Sequence, residues 1–284
     1  MLPAPDATVA HALNIGLGPI SVTGFGIAVA AAFVLGQMIA SREMERRGFS
    51  ADPVPDIVAA TLVGFLIGAK IYYAILTHSF GSLLSRGGFV FWGGFTGSVA
   101  AGALMIRWKK LRFWHVADVF SIGLAAGYSV GRTGCWAVGD DYGKPWPGGW
   151  LAVQFPEGAP PSTAGNMASQ FGVHFPAGTD PLSVIAVYPT QLLEVFLGFL
   201  IFLAVWRLRD HKHAEGWLFG VWAVLAGIER FAVEFLRAKD DRIGGLAAGL
   251  SAAQIISVGI LLFGVAWMRM RREVTAAHPG IHAV

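Results

Sequence analysis

The sequence predicts an all-α polytopic membrane protein, a single integral domain over residues 1–284. It has seven transmembrane helices and a small extracytoplasmic segment between the fourth and the fifth. Three observations predict this. The chain is 55% hydrophobic and only 14% charged, too apolar for a soluble domain of its length. Apolar runs of roughly 18 to 22 residues recur along it, the length a helix needs to cross a bilayer core. The basic residues between those runs also segregate by side, as they do around membrane helices.

The runs, in order, are about 18–40, 57–77, 88–106, 115–136, 188–206, 216–237 and 250–268. The opening "MLPAPDATVAHALNIGLGPI" has neither a basic leader nor a small-residue cleavage site, so the first run is expected to stay as a span. Thirteen of the 21 Lys and Arg residues fall on one side: Arg42, Arg46, Arg47, Arg107, Lys109, Lys110, Arg112, Arg207, Arg209, Lys212, Arg269, Arg271 and Arg272. Arg86, Lys144, Arg237, Lys239 and Arg242 fall on the other. Basic loops face the cytoplasm, so the N-terminus is expected outside and the C-terminus inside. The net charge of +3 then follows from topology and attraction to lipid headgroups, and no nucleic-acid partner is implied. The lone cysteine, Cys135, excludes an intramolecular disulfide.

Residues 137–187 form the one sizeable polar stretch, with "PEGAPPSTAGN" and "FPAGTDP" among its turn-rich pieces. Its composition predicts irregular backbone at the outer interface, with short helices or strands. The chain has no glycine-rich phosphate loop, no H-E-x-x-H and no G-x-S-x-G, and nothing in it calls for a metal or a cofactor.

Charges inside the spans carry the functional signal, because each is costly in hydrocarbon and faces a polar cavity or a partner. The topology puts Lys70, beside Tyr72 and Tyr73, in the outer half of the second span, and Arg132 at the outer end of the fourth. Tyr188, Gln191 and Glu194 occupy the first turns of the fifth span. Glu229, Arg230, Glu234 and Arg237 occupy the outer part of the sixth. The third span begins at the same level with "FWGGFTG", which contains Trp92, Gly93 and Gly94. At about 100° per residue, Arg230, Glu234 and Arg237 fall within roughly 60° of one another on one helix face. A self-neutralising Arg230–Glu234 pair is the structural alternative. Several cations at one depth favour an anion site instead, and phospholipid phosphate is the anion met at that level. A transport path would place polar groups through the whole thickness, whereas the inner half offers only Asp118.

Six stretches carry a resemblance to a known family: "IGAKIYYAI" at 67–75, "FWGGFTG" at 91–97, "GRTGCWAVGDDYG" at 131–143, "YPTQLLE" at 188–194, "GIERFAVEFLR" at 227–237 and "GLSAAQIIS" at 249–257. In that order and spacing the chain resembles the bacterial phosphatidylglycerol:prolipoprotein diacylglyceryl transferases, multi-pass enzymes of the inner membrane. The resemblance implies two essential arginines, Arg132 and Arg230, with Glu234 and Arg237 as the acidic and second basic positions of the sixth-span motif. It further implies Gly134, Gly139 and Gly143 as signature glycines, and Gln191 and Glu194 as the fifth-span motif. It departs from the family at Lys70 (usually Arg), Trp92 (usually His), Cys135 and Val138 (usually Asn), Asp140 (usually Glu) and Tyr188 (usually His), which marks a divergent branch.

The implied reaction joins phosphatidylglycerol to a prolipoprotein signal peptide. The lipobox cysteine thiolate attacks the glyceryl carbon, a thioether forms, and glycerol phosphate leaves as an anion. Arg132 and Arg230 then hold the phosphate and stabilise charge on the departing oxygen, with Lys70 and Arg237 as supporting cations. The thiol must lose a proton, and Trp92 cannot take it. With no histidine expected within a span, the candidates are Glu229, Glu234, Glu194 and Asp140, the first two of them expected to be engaged by arginine. Asp140 is alternatively an interfacial hydrogen-bond acceptor. Tyr73, Trp92, Gly93, Gly94 and Tyr188 are expected to line the lipid site, although the glycines serve equally to let helices approach. Cys135 reads as a packing residue rather than a nucleophile. A same-fold transferase with another acceptor and a non-catalytic lipid-binding or transport protein are the rival readings.

Overall fold

The computed structural model describes residues 7–17, 20–84, 90–146, 148–238 and 249–272. Arg86, Lys239 and Arg242, together with the starts of the first and third predicted spans at 18–19 and 88–89, lie outside the described residues.

A helix covers each predicted run. They are α1 (Gly24–Arg46), α2 (Pro53–Leu76), α3 (Phe91–Trp108), α4 (Phe113–Val138), α6 (Thr190–Leu208), α7 (Trp217–Val233) and α8 (Ala252–Met270), with a short α5 (Ala164–Phe171) in the polar stretch. Four of them, α1, α2, α6 and α8, are long and apolar enough to cross a membrane by length and composition. The others carry what lowers their hydropathy: the glycines of α3, Asp118 and Arg132 in α4, and Glu229 and Arg230 in a 17-residue α7.

Two boundaries differ from the sequence reading. The first helix begins at Gly24 rather than near residue 18, because Ile20–Thr23 (β3) pairs antiparallel with Asn14–Leu17 (β2) as a hairpin. The β-branched Ile20, Val22 and Thr23 suit a strand better than a helix start. The sixth predicted span runs to 237, but α7 ends at Val233, a turn follows, and Arg237 pairs as a β-bridge with Gly143. Histidine was expected in none of the spans, yet the fourth predicted run itself opens on residue 115, and His115 lies in the first turn of α4, buried and 4.2 Å from the Phe49 ring.

The chain divides into two compact units. Residues 36–123 contain the α2–α3 pair, whose glycines bring the two backbones together. A Cβ on Gly64 would come 2.5 Å from the Gly97 carbonyl oxygen, and one on Gly94 would come 2.5 Å from the Phe65 ring. Without a hydrophobic drive between helices in lipid, such close backbone approach is the main source of association. In the same unit Glu43 binds Arg46 and Arg47, each at 2.7 Å, and Lys109 pairs with Asp56 at 2.5 Å.

The other unit, 1–35 with 124–284, holds α6, α7, α8 and the polar segment. That segment has its own apolar core of Tyr142, Val153, Phe155, Met167, Ile185 and Val187, with Tyr142 stacked on Phe155 at 5.7 Å. Strand β4 (Val153–Gln154) pairs in parallel with β1 (Thr8–Val9), so the N-terminal residues sit on the polar segment. α5 starts on a Thr163 cap and α8 on a capping box of Ser251 with Gln254.

Candidate active site

Three pieces of chain meet at the end of α4, and backbone hydrogen bonds fix their register. Gly143 N donates to Tyr188 O (2.9 Å), Tyr188 N to Lys144 O (3.1 Å), and Lys144 N to Leu236 O (2.8 Å). Two buried side chains at the start of α6 hold the intervening turn, Thr190 Oγ1 donating to Asp141 O (2.8 Å) and Gln191 Nε2 to Asp140 O (2.7 Å). Gly139 leaves α4 at φ 67°, and a Cβ there would come 2.8 Å from the Phe155 ring, so only glycine makes this exit without strain. Gly143 is equally enclosed: its Cβ would come 2.6 Å from Tyr188 Cβ and 2.8 Å from Leu236 O.

This framework gathers three arginines around a buried carboxylate. Arg132 from α4 forms an ion pair with Glu194 of α6, and its Nη1 reaches Asp141 Oδ2 at 3.1 Å. Arg230 from α7 lies 3.6 Å from the other Glu194 oxygen and pairs with Glu234 at 2.5 Å. Arg237 binds Asp141 and lies 3.5 Å from Glu194. Glu194 is 1% exposed, so its charge is stabilised by these guanidiniums and not by water. Tyr128, one turn before Arg132, places its hydroxyl 3.2 Å from Glu194 and 3.1 Å from Glu229.

Exposure separates the arginines. The Arg230 side chain is 27% exposed and Arg132 12%, but Arg237 only 4%, so the first two can meet a ligand while Arg237 braces the acids. Arg132 Nε, Arg230 Nη1 and Arg237 Nε carry N–H groups without a hydrogen-bond acceptor among the described residues. Buried donors of that kind are rare, and they leave hydrogen-bonding capacity at the cluster. Phosphate oxygens match guanidinium geometry.

The site thus brings together Arg132, Arg230, Glu234, Arg237, Gln191, Glu194 and Asp140, with Gly134, Gly139, Gly143 and Tyr188 around it. Several details depart from expectation. The cations are not unpaired: each arginine has at least one carboxylate. Arg237 joins through its bridge to Gly143, since helical spacing ends before it. Glu229, expected to be engaged by an arginine, instead accepts from Tyr128 and forms no ion pair among the described residues. Gly134 packs against α1, its Cβ direction 2.9 Å from Ala28 Cβ, and Tyr188 stacks on Trp146 at 4.6 Å. Gly139 and Gly143 shape the backbone rather than leave room for lipid.

Lys70, Tyr73, Trp92, Gly93 and Gly94 belong to the other unit. There Gly93 and Gly94 are buried in the α2–α3 contact, Gly93 also lining an open groove of about 330 Å³ with Gly68, Tyr72 and Gly97, and Trp92 is 44% exposed on α3 against Phe91 and Phe95. Two members of the cluster escaped the sequence reading, Asp141 and Tyr128. Tyr128 had a usable signal, since it stands four residues before Arg132 on one helical face. Cys135, Asp140 and Asp141 lie close together, with ligand atoms within 4.8 Å, and Cys135 receives a hydrogen bond from Arg132 Nη1 at 3.2 Å.

Comparison with known sequences agrees with this geometry. Residues 11–270 match the family described as prolipoprotein diacylglyceryl transferase. Proteins named phosphatidylglycerol–prolipoprotein diacylglyceryl transferase are similar along nearly their whole length. One from Xanthomonas oryzae pv. oryzae is 31% identical over 286 residues, covering 95% of each chain. Another from Solidesulfovibrio magneticus is 33% identical over 275 residues, 91% of this chain and 93% of its own. A third, from Xanthomonas euvesicatoria pv. vesicatoria, is 30% identical over 96% of each. This chain, a multi-pass membrane protein with an arginine-lined site, belongs to the prolipoprotein diacylglyceryl transferase family.

Proposed function

We propose that this protein transfers the diacylglyceryl group of phosphatidylglycerol to the lipobox cysteine of a prolipoprotein, releasing glycerol phosphate, at the Arg132–Arg230 site. The observation that carries the assignment is one buried carboxylate, Glu194, flanked by guanidiniums from α4 and α7 that each retain an unbonded N–H. Glu194, Glu234 and Asp141 aim the arginines. The lipid phosphate then meets the exposed parts of the Arg132 and Arg230 side chains, and Arg237 stays internal. As the thiolate sulfur bonds to the glyceryl carbon, the carbon–oxygen bond to phosphate breaks, and the arginines stabilise the charge gathering on that oxygen.

The thiol proton goes to a carboxylate that no arginine holds. Two qualify among the described residues, Asp140 and Glu229. We assign the role to Asp140, whose Oδ1 is buried without a hydrogen-bond partner and whose carboxyl burial pushes above the ordinary aspartate range, towards the values useful for a base. All seven long helices cross the bilayer in this reading, with the N-terminus and residues 139–189 outside, in the bacterial inner membrane. The β1–β4 pairing supports it by placing the N-terminal residues against that segment.

The test incubates purified protein with phosphatidylglycerol and a lipobox peptide. Glycerol phosphate release with a matching peptide mass gain is expected, and Arg132→Lys or Arg230→Lys should lower turnover by roughly two to three orders of magnitude. Near-normal turnover in both variants would overturn the phosphate assignment. Release without peptide modification would point to a different acceptor.

A further inference from the structure

A second amphiphilic cleft lies at the opposite end of α7 from Arg230. α7 has 17 residues, about 25 Å of helix, so the two places are distinct. α7 and α8 touch at Gly220 and Gly264, where a Cβ on Gly264 would come 2.8 Å from the Gly220 carbonyl oxygen. Beside that contact is a cleft of about 410 Å³. Along the helices its lining runs from apolar Val224 and Val265 to Trp217, Met268, Arg269, Arg272 and His213 at the helix ends, which form a cationic mouth. On α8 the lining positions 265, 268, 269 and 272 share one helix face, and on α7 positions 217 and 224 do the same.

The polarity gradient runs along the helices, and it is that of a phospholipid: acyl chain inward, phosphate at the helix ends. The mouth is cationic, and among the described residues no carboxylate lines it. Neighbouring basic residues are occupied otherwise, Arg271 over the Trp267 ring at 4.7 Å and Arg209 over Trp206 at 3.8 Å. Arg269 and Arg272 form no ion pair among the described residues. The cleft is also preformed, since Ala214 N donates to Arg271 O (3.1 Å) and His213 Nδ1 lies 3.0 Å from Arg272 O, which ties the α6–α7 connection to the end of α8.

We infer that this cleft binds an anionic phospholipid, its phosphate on Arg269 and Arg272 and one acyl chain along Trp217, Met268 and Val265. The site is separate from the transferase chemistry and does not depend on it.

Native mass spectrometry of the full-length protein in detergent, titrated with phosphatidic acid or phosphatidylcholine, tests this. Wild type should retain phosphatidic acid over phosphatidylcholine, and Arg269→Gln with Arg272→Gln should weaken that retention roughly tenfold or more. Val265→Trp, which fills the apolar end and keeps the arginines, should weaken it too. The double arginine variant should keep wild-type transferase turnover, so loss of the transferase site cannot mimic loss of this one. Equal retention by wild type and the double arginine variant overturns the inference. So does equal retention of phosphatidylcholine, or competition by inorganic phosphate as effective as by the lipid.

Discussion

Asp140 is the residue whose ionisation the protein disturbs most usefully outside its membrane helices. Burial raises its pKa from the ordinary 3.8, opposed by a hydrogen bond from Cys135 and reinforced by the neighbouring Asp141 charge. A base works only when deprotonated. Turnover should therefore fall as pH drops through this raised value, at a pH above that of an ordinary aspartate. Asp140→Asn should remove that limb and lower glycerol phosphate release by roughly two to four orders of magnitude, while Glu229→Gln keeps both. If the limb survives in the first variant and vanishes in the second, the base is Glu229. Stability has its own sign. The folded state holds this proton more tightly than the unfolded, so the group costs stability as pH rises above 3.8. Asp140→Asn should thus melt higher than wild type near pH 7 and converge with it in acid, which a thermal scan at two pH values checks. The sequence made Arg132, Arg230 and Glu194 legible because a charge in hydrocarbon demands a reason. It could not do so for Asp141, since a carboxylate in a polar turn demands none.

The same distinction between costly and inconspicuous features runs through the helices. Seven apolar runs became seven helices, because bilayer thickness and backbone satisfaction leave an apolar run of that length little choice. The ends were not legible. Residues 20–23 joined a hairpin with the neighbouring 14–17 instead of α1, and the chain left helical geometry after Val233 to bridge Arg237 to Gly143, a partner far away in sequence. Glycine roles divided in the same way. "FWGGFTG" was compatible with a headgroup cradle or with close packing, and the Cβ directions of Gly93 and Gly94 show the close packing, with Gly93 also on the wall of an open groove. Gly64→Leu should then force α2 from α3, with the Gly97 carbonyl 2.5 Å and Ala101 Cβ 2.6 Å from the first carbon added. A cost of about 1–3 kcal/mol or more is expected, read as a lower thermal midpoint in detergent. Gly259→Ala on α8 is the control, for nothing lies within 4 Å of its Cβ direction. Helix propensity should leave that variant unchanged or stabilised by up to about 1 kcal/mol.

Sidedness is the property that belongs to the whole chain. It is written in the loops, where thirteen basic residues gather between alternate spans. The structure adds an independent constraint, since β1 pairs with β4 and so holds the N-terminal residues to the segment between α4 and α6. An even number of crossings must separate two pieces of chain on one side, and the proposed topology meets this with the four helices α1 to α4 that lie between β1 and β4. In the proposed topology, with the basic loops inside, Ala177, exposed in the polar segment, is expected outside, and Lys212, exposed between α6 and α7, is expected in the cytoplasm. Cysteine labelling reads this directly, because the native thiol, Cys135, is only 6% exposed and should react slowly. A membrane-impermeant maleimide added to intact cells with a permeable outer layer should label Ala177→Cys and spare Lys212→Cys. Lysis should make both react. The reverse pattern would invert the topology and put the arginine site in the cytoplasmic leaflet, out of reach of a prolipoprotein presented from outside. Labelling of both positions in intact cells would mean that α6, the one helix between them, does not span.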